Sequence, residues 1–283
     1  MALFSLLMAI LVERLKVLPA SLQFDHLLAI YHKQLFRDEQ VSSAGMMALA
    51  LVLPASALYV VSWAVAGLFW GGLTLALWVA VAVLCFTHKA QRDAFKRYVQ
   101  AACRGDVQAC FHYAQELDCS ECLDAVDQCQ LAARVGQSVA WTNYRYYGAV
   151  ALYFILAGPI GAVLYCTVRF YSEEKLKRKL DLPLVDELLF LLDWIPSRLF
   201  AFGYVLCGEF SKSIDAWRKL ALSPTTQARD IIVQTAVAAE PQACDREEGI
   251  SLQPTIAMLA LSKRNFILLV CVLSLLTIFG VVS

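Results

Sequence analysis

An all-α protein that enters a membrane several times is the fold class this sequence predicts, on three observations. Of its 283 residues, 59% are hydrophobic and 17% charged, where a soluble domain carries about 25% charged residues; mean hydropathy is +0.59. Charge also vanishes over long runs: 48 residues from Gln40 to Thr87, 23 from Tyr146 to Val168 and 19 from Asn265 to Ser283 hold no Asp, Glu, Lys or Arg. About 20 apolar residues suffice to cross a hydrocarbon core. Finally, basic and aromatic residues flank these runs, as at membrane interfaces. The lengths predict a polytopic integral membrane protein with four to five membrane-inserted helical segments, two of them broken, plus a small cytoplasmic helical insert.

Taken in order, Met1 to Val12 is apolar and Glu13, Arg14 and Lys16 follow it. That is short for a full span and suits an in-plane or partly inserted helix. It lacks a basic n-region and an A-x-A-type site, so it reads as retained rather than cleaved. Pro19 to Glu39 has a helical pattern, with Leu22, Phe24, Leu27, Leu28, Tyr31 and Leu35 on one broad face and Asp25, His26, His32, Lys33 and Arg37 elsewhere. The charge-free run that follows is long enough for two crossings. We expect a tight hairpin of Ala44–Trp63 and Leu68–Phe86, turned at Gly67, Gly71 and Gly72, with Trp63, Trp70 and Trp78 in an aromatic belt near the turn. These elements make a first domain, 1–87.

Lys89, Arg92, Lys96, Arg97 and Arg104 come next and mark the cytoplasmic side. Residues 88–140 then read as a polar helical insert. Its stripes are Phe95, Tyr98, Val99 and Ala102; Phe111, Tyr113, Ala114 and Leu117; and Leu123, Val126, Leu131 and Val135. Gly105-Asp106 and Asp118 to Ser120 supply the helix boundaries. Residues 141–210 hold the broken membrane segments, 211–264 a cytoplasmic linker with a helix near Ile231–Ala239, and 265–283 a terminal span.

The break in the middle of the 146–168 run is the informative one. Ala157-Gly158-Pro159-Ile160-Gly161 interrupts a helix at a depth where exposed backbone survives only under a cover of protein or a wet cavity. Two arrangements fit: a kinked span packed among others, or a helical hairpin that dips in and returns. Lys175, Lys177, Arg178 and Lys179 make the second flank basic: a hairpin would leave both flanks in the cytoplasm, and a plain crossing would put the 170–181 linker outside. A second break is Pro196, near the buried-type ions Asp193 and Arg198. An ionisable residue in a membrane helix costs at least about 2.5–3.5 kcal/mol and normally faces a cavity or a partner. The functional reading is a polar pocket where the 158–161 and 193–198 breaks meet, as in discontinuous-helix sites. The plainer reading is an Asp–Arg pair pinning an interfacial helix. Asp186 lies seven residues before Asp193 and would share its face.

Around that pocket, Asn143, Arg145 and Arg169 flank the first broken segment, and a guanidinium grips phosphate or carboxylate in bidentate fashion; meeting lipid phosphates is the plain alternative. Asp25-His26 is an acid–imidazole dyad or a solvated helix face. Cys103, Cys110, Cys119, Cys122 and Cys129 contain one C-x-x-C, but only His112 is nearby, so small buried hydrophobes fit better than a zinc site. The basic flanks place these thiols in the cytoplasm, reduced. No Walker loop, G-x-S-x-G, H-E-x-x-H or dinucleotide fingerprint occurs. With 24 basic and 24 acidic residues, nothing suggests nucleic acid. We therefore assign no catalytic residue, metal or cofactor.

Four motifs, in this order, resemble the AmpE family of inner-membrane proteins. They are Phe24-Asp25-His26; Asn143-Tyr144-Arg145-Tyr146-Tyr147; Gly158-Pro159-x-Gly161-Ala162-x-x-Tyr165; and Leu192-Asp193-Trp194-Ile195-Pro196-Ser197-Arg198-Leu199. The resemblance covers most of the chain and is weakest in 88–140 and 221–262. It implies association with control of inducible β-lactamase and a functional link to the cytoplasmic cell-wall amidase AmpD, beside which AmpE is encoded. It also implies distant kinship to the CobD/CbiB membrane enzymes, which attach an aminopropanol phosphate arm to adenosylcobyric acid. Leu189, Phe190 and Asp193 stand where their pattern has an Asp-Asp pair and an Asn, and loss of that pair removes the evident metal or base candidates.

Three functions are thus in view. The first is an accessory signalling protein of cell-wall recycling, binding an anionic small-molecule or muropeptide-type ligand and contacting membrane lipids. The ligand would lie among Gly158, Pro159, Gly161, Tyr165, Asp193, Pro196 and Arg198, with Asn143, Arg145, Arg169, Asp25 and His26 contributing. The second is an amide-forming membrane enzyme of the cobinamide-synthase type. The third is a small-solute transporter, which paired breaks permit although no inverted repeat supports it.

Overall fold

A computed structural model describes residues 1–15, 19, 22–36, 43–117, 128–240 and 252–280. Among them every regular element is helical. In chain order these are α1 (Ala2–Leu15), α2 (Phe24–Leu35), α3 (Ala44–Val65), α4 (Gly72–Phe86), α5 (Lys89–Cys103), α6 (Val107–Glu116), α7 (Gln128–Asn143), α8 (Ala149–Arg178), α9 (Val185–Cys207), α10 (Phe210–Ala221), α11 (Ala228–Ala239) and α12 (Gln253–Ile278). Among the described residues five stretches are long and apolar enough to cross a bilayer: Ala44–Val65, Gly72–Cys103, Gln130–Arg178, Val185–Cys207 and Gln253–Ile278. The fold is that of an all-α, multi-pass membrane protein. Exposed apolar side chains follow from it: Val52, Tyr59, Val60 and Trp63 line one side of α3, a surface that water would not tolerate but acyl chains solvate.

The chain divides into two compact units. The first comprises residues 1–87, 149–193 and 273–283. Here α1 packs on α4, and α2, α3 and α4 all pack on α8. Its core joins Leu28, Phe36, Met47, Ala50 and Leu51 to Val168, Phe170, Tyr171, Leu182 and Val185. The α3–α4 hairpin turns through Gly67 (φ +80°) and Gly71 (φ +86°), a conformation that glycine adopts without steric cost. Leu68–Gly71 is a 3₁₀ turn, so the second arm starts at Gly72 and not at Leu68.

Two sequence expectations change here. In α2 the buried residues are Leu28 and His32, while Leu22, Leu27 and Leu35 are exposed; contacts of Asp25 and His32 with α8 set the helix's rotation, as described below. Trp63 and Trp70 are exposed at the hairpin turn, but Trp78 points inward, its ring 5.6 Å from that of Phe154 and edge-on to it.

The second unit comprises residues 88–148 and 194–272. Its core gathers Ala94, Tyr98, Ala101, Ala102, Cys110, Ala114, Leu117, Leu131, Val135 and Val139. The boundary between α5 and α6 falls where the pattern puts it. Gly105 has φ +72°, and the Asp106 carboxylate caps α6 by accepting from the Ala109 amide at 3.0 Å. Cys110 is buried as expected and Cys103 is exposed, contrary to its core-like spacing; Cys119, Cys122, Leu123, Val126 and the 118–120 turn lie outside the described residues.

Within this unit the first part of α12 is held by polar contacts. Thr255 donates to the Ala132 carbonyl at 2.8 Å, the Tyr204 and Ser262 hydroxyls meet at 3.2 Å, and Asn265 donates to the Phe200 carbonyl at 2.9 Å. Gly203 makes room for that amide: a Cβ there would overlap Asn265. Small residues and buried amides at a helix crossing are the usual means of packing within a bilayer.

Candidate functional site

In the first unit the site is built on a backbone break. Gly158 has φ 66° and ψ −160°, a region essentially restricted to glycine, and Pro159 disfavours helix for the residue before it. The consequence is a sharp bend in α8. The Tyr153 and Tyr165 rings stack with centroids 5.2 Å apart, whereas residues 12 apart in a straight helix are separated by about 18 Å along the axis. A straight crossing through this segment is therefore not what forms. The bend is covered by protein: a Cβ on Gly158 would come 3.3 Å from the Trp78 ring, and one on Gly161 would overlap Ala157.

The prolines free backbone carbonyls, and tyrosines take them up. Pro196 lacks the N–H that would bond to the carbonyl four residues earlier; that carbonyl, of Leu192, accepts from the Tyr153 hydroxyl at 2.7 Å. Pro54 does the same inside α3, where the Ala50 carbonyl accepts from Tyr31 at 3.2 Å. Burial pushes the Tyr31 phenol up to about 12, which keeps it protonated and donating. An unsatisfied carbonyl in hydrocarbon costs several kcal/mol. Neither Tyr31 nor Tyr153 stood out in the sequence as part of a site; a tyrosine able to reach a proline-freed carbonyl was the signal, and it is visible only once elements are placed.

Charged groups of the same unit are paired within it. Asp193 is 4% exposed, and its Oδ1 accepts from the Tyr165 hydroxyl at 3.0 Å. Asp186 does not share this site: it is exposed and pairs with Lys175 at 2.8 Å. Arg169 is fully buried and reaches Asp25 at 2.7 Å and Glu173 at 3.6 Å. Asp25 is thus an anchor of α2 on α8 through Arg169. His32 Nδ1 lies 3.3 Å from the Tyr171 hydroxyl, fixing the same face, while His26 lines a cleft with Lys33 and Arg178.

The remaining predicted residues belong to the second unit. Arg198 donates from Nε to Ala221 O (3.1 Å), from Nη1 to Trp194 O (2.7 Å) and from Nη2 to Ser223 O (2.8 Å), and its guanidinium lies 4.2 Å from the Trp194 ring centroid. Trp194 Nε1 donates to Pro224 O at 3.2 Å, and Trp217 Nε1 donates to Arg198 O at 3.0 Å. The Trp194-Ile195-Pro196-Ser197-Arg198 motif is a clamp on the end of α10, where a cation also meets the negative end of the helix dipole. Asn143 donates to its own helix, at Val139 O, 2.8 Å. Arg145 is buried in a π-helical turn, Tyr144–Gly148, 5.8 Å from the Trp141 ring centroid. Turns of this kind recur at functional sites. Beside it Gln91 donates to the Tyr146 hydroxyl at 2.8 Å, and the buried His88 ring lies 4.6 Å from that of Tyr146.

Gly158, Pro159, Gly161, Tyr165, Asp193, Arg169 and Asp25 therefore share the first unit, joined by Tyr153; Asn143, Arg145, Pro196 and Arg198 share the second. Asp25 and Arg169 pair with each other, Asp193 accepts from Tyr165 and Arg198 donates to three carbonyls. Chemically the bend is a polar core in which tyrosine hydroxyls meet a carboxylate and a freed carbonyl.

A family model described as "Regulatory signalling modulator protein AmpE" matches residues 1–283. "Protein AmpE" of Shigella flexneri is 27% identical over 296 residues, covering 99% of this chain and 99% of that protein. No solved structure matches the chain.

Proposed function

The chain belongs to the AmpE family, and we propose that it acts in the bacterial inner membrane as an accessory signalling protein of cell-wall recycling, controlling inducible β-lactamase. The observation that carries this reading is the match to a regulatory signalling modulator family along the full chain. In this proposal residues 88–140 and 211–264 face the cytoplasm, where Lys89, Arg92, Lys96, Arg97 and Arg104 favour that side. That orientation puts the second unit in reach of a soluble partner such as the amidase AmpD. A polar cleft of about 440 Å³ in this unit, lined by Arg134, Gln137, Ser138, Arg229, Asp230 and Gln234 among others, is the surface we assign to such contacts. An anionic small molecule, including one of muropeptide type, is the signal we propose the membrane unit to sense.

Deletion of the gene should abolish induction of β-lactamase by a cell-wall antibiotic, with restoration by the wild-type chain and unchanged cobalamin synthesis. Induction that persists at the wild-type level in the deletion strain would refute the assignment.

A further inference from the structure

We propose that the cleft between α2 and the end of α8 is a binding site for a phosphate group. The cleft has a volume of about 700 Å³ and is lined by His26, His32, Lys33 and Arg178 together with Ala29, Ile30 and Phe36. Two cations and two imidazoles thus border it, and among the described lining residues there is no carboxylate. Arg178 also pairs with Glu174 at 2.6 Å, and His32 meets Tyr171, so two of the four are held in place by neighbours while remaining on the wall. That arrangement pre-positions donors for an oxyanion, which guanidinium and ammonium groups bind by charge-assisted hydrogen bonds. The apolar wall supplied by Ala29, Ile30 and Phe36 gives no partner to a fully hydrated ion and suits a phosphate carried on an apolar body.

The level in the fold agrees. Arg178 belongs to the charged run that ends α8, directly after apolar membrane sequence, which is where lipid phosphates lie. A phosphate at this place could come from the headgroup of an anionic lipid or from a soluble phosphate ester; the chemistry recognised is the same. The site is separate from the Gly158 bend and from the ion pair of Arg169. It gives the anionic signal of the proposed function a place to bind, and rests on that reading only for its biological use.

The test uses the full-length protein in two arms. In neutral detergent, the unfolding midpoint is followed against inorganic phosphate and glycerol phosphate, with chloride at matched ionic strength as reference. In phosphatidylcholine nanodiscs, it is followed with and without phosphatidylglycerol, and native mass spectrometry counts the anionic lipids retained. Stabilisation in the first arm assigns a soluble ester and stabilisation confined to the second assigns a lipid headgroup; either supports the site, provided that His26→Gln/Lys33→Gln/Arg178→Gln weakens the effect about tenfold or more and Lys177→Gln does not. No phosphate-dependent effect in both arms, or an affinity within about twofold of wild type in the triple variant, overturns the proposal. If the triple variant does not fold, the exposed Lys33→Gln alone decides on the same criterion, with a loss of about threefold or more expected. The binding arms are independent of β-lactamase induction, so failure of the site and failure of the signalling role are told apart.

Discussion

At the scale of the residue, the hydroxyl of Tyr153 shows how this chain tolerates proline within the bilayer. Its bond to the Leu192 carbonyl replaces the one that Pro196 removes. Tyr153→Phe should therefore destabilise the protein by about 1–3 kcal/mol, the cost of a buried acceptor left unsatisfied. Pro196→Ala in the same chain should recover much of that loss, because an amide at 196 can bond to Leu192 in the ordinary helical way. Unfolding in detergent measures the cycle, and strictly additive effects would show that the two residues do not share the carbonyl. Arg169 and Asp25 make a second test. Removing Asp25 takes the 2.7 Å partner from a fully buried guanidinium and leaves only Glu173 at 3.6 Å, so Asp25→Ala should cost about 1–3 kcal/mol. The double variant Asp25→Ala/Arg169→Met should be less impaired than the single one, since breaking a buried pair costs more than replacing it by apolar groups. A double variant no more stable than Asp25→Ala would place the damage elsewhere.

The element of most consequence is the bent α8, and the Gly158-Pro159 dipeptide announces it in the sequence. That such a break occurs at membrane depth was legible, because glycine and proline act through the local backbone. The direction and sharpness of the bend were not, since they depend on Trp78 packing against Gly158 and Phe154 and on Tyr153 meeting Tyr165. The Trp194–Arg198 segment of α9 gives the opposite lesson. Its arginine looked like a ligand group, and its donors instead hold the carbonyls at the end of α10. Arg198→Lys keeps the charge but cannot supply the three-pronged fork. Amide hydrogen exchange over 217–225 should rise in that variant, with the exchange of α5 and α6 unchanged. Equal protection in both proteins would mean that Arg198 is not what holds the turn.

For the whole molecule, the proposed orientation yields a labelling experiment. Cys103 is exposed in the insert that we place in the cytoplasm. In a chain with Cys103 as its sole cysteine, a membrane-impermeant maleimide should react in inverted vesicles and not in intact spheroplasts; the reverse result would invert the topology. That the chain is helical, that it enters a membrane several times and that it belongs with AmpE proteins can all be read from the order of its residues. Those conclusions follow from long charge-free runs and from short motifs, which are local properties and survive without coordinates. Which buried polar groups meet emerges from the packed helices alone. Asp25 and Arg169 are 144 residues apart, and Asp193 finds Tyr165 and not its near neighbour Asp186. Such pairings are set by which helix faces pack together, and in a membrane, where desolvating an unmatched ion or carbonyl is most costly, packing is driven to satisfy each of them from whatever element lies closest.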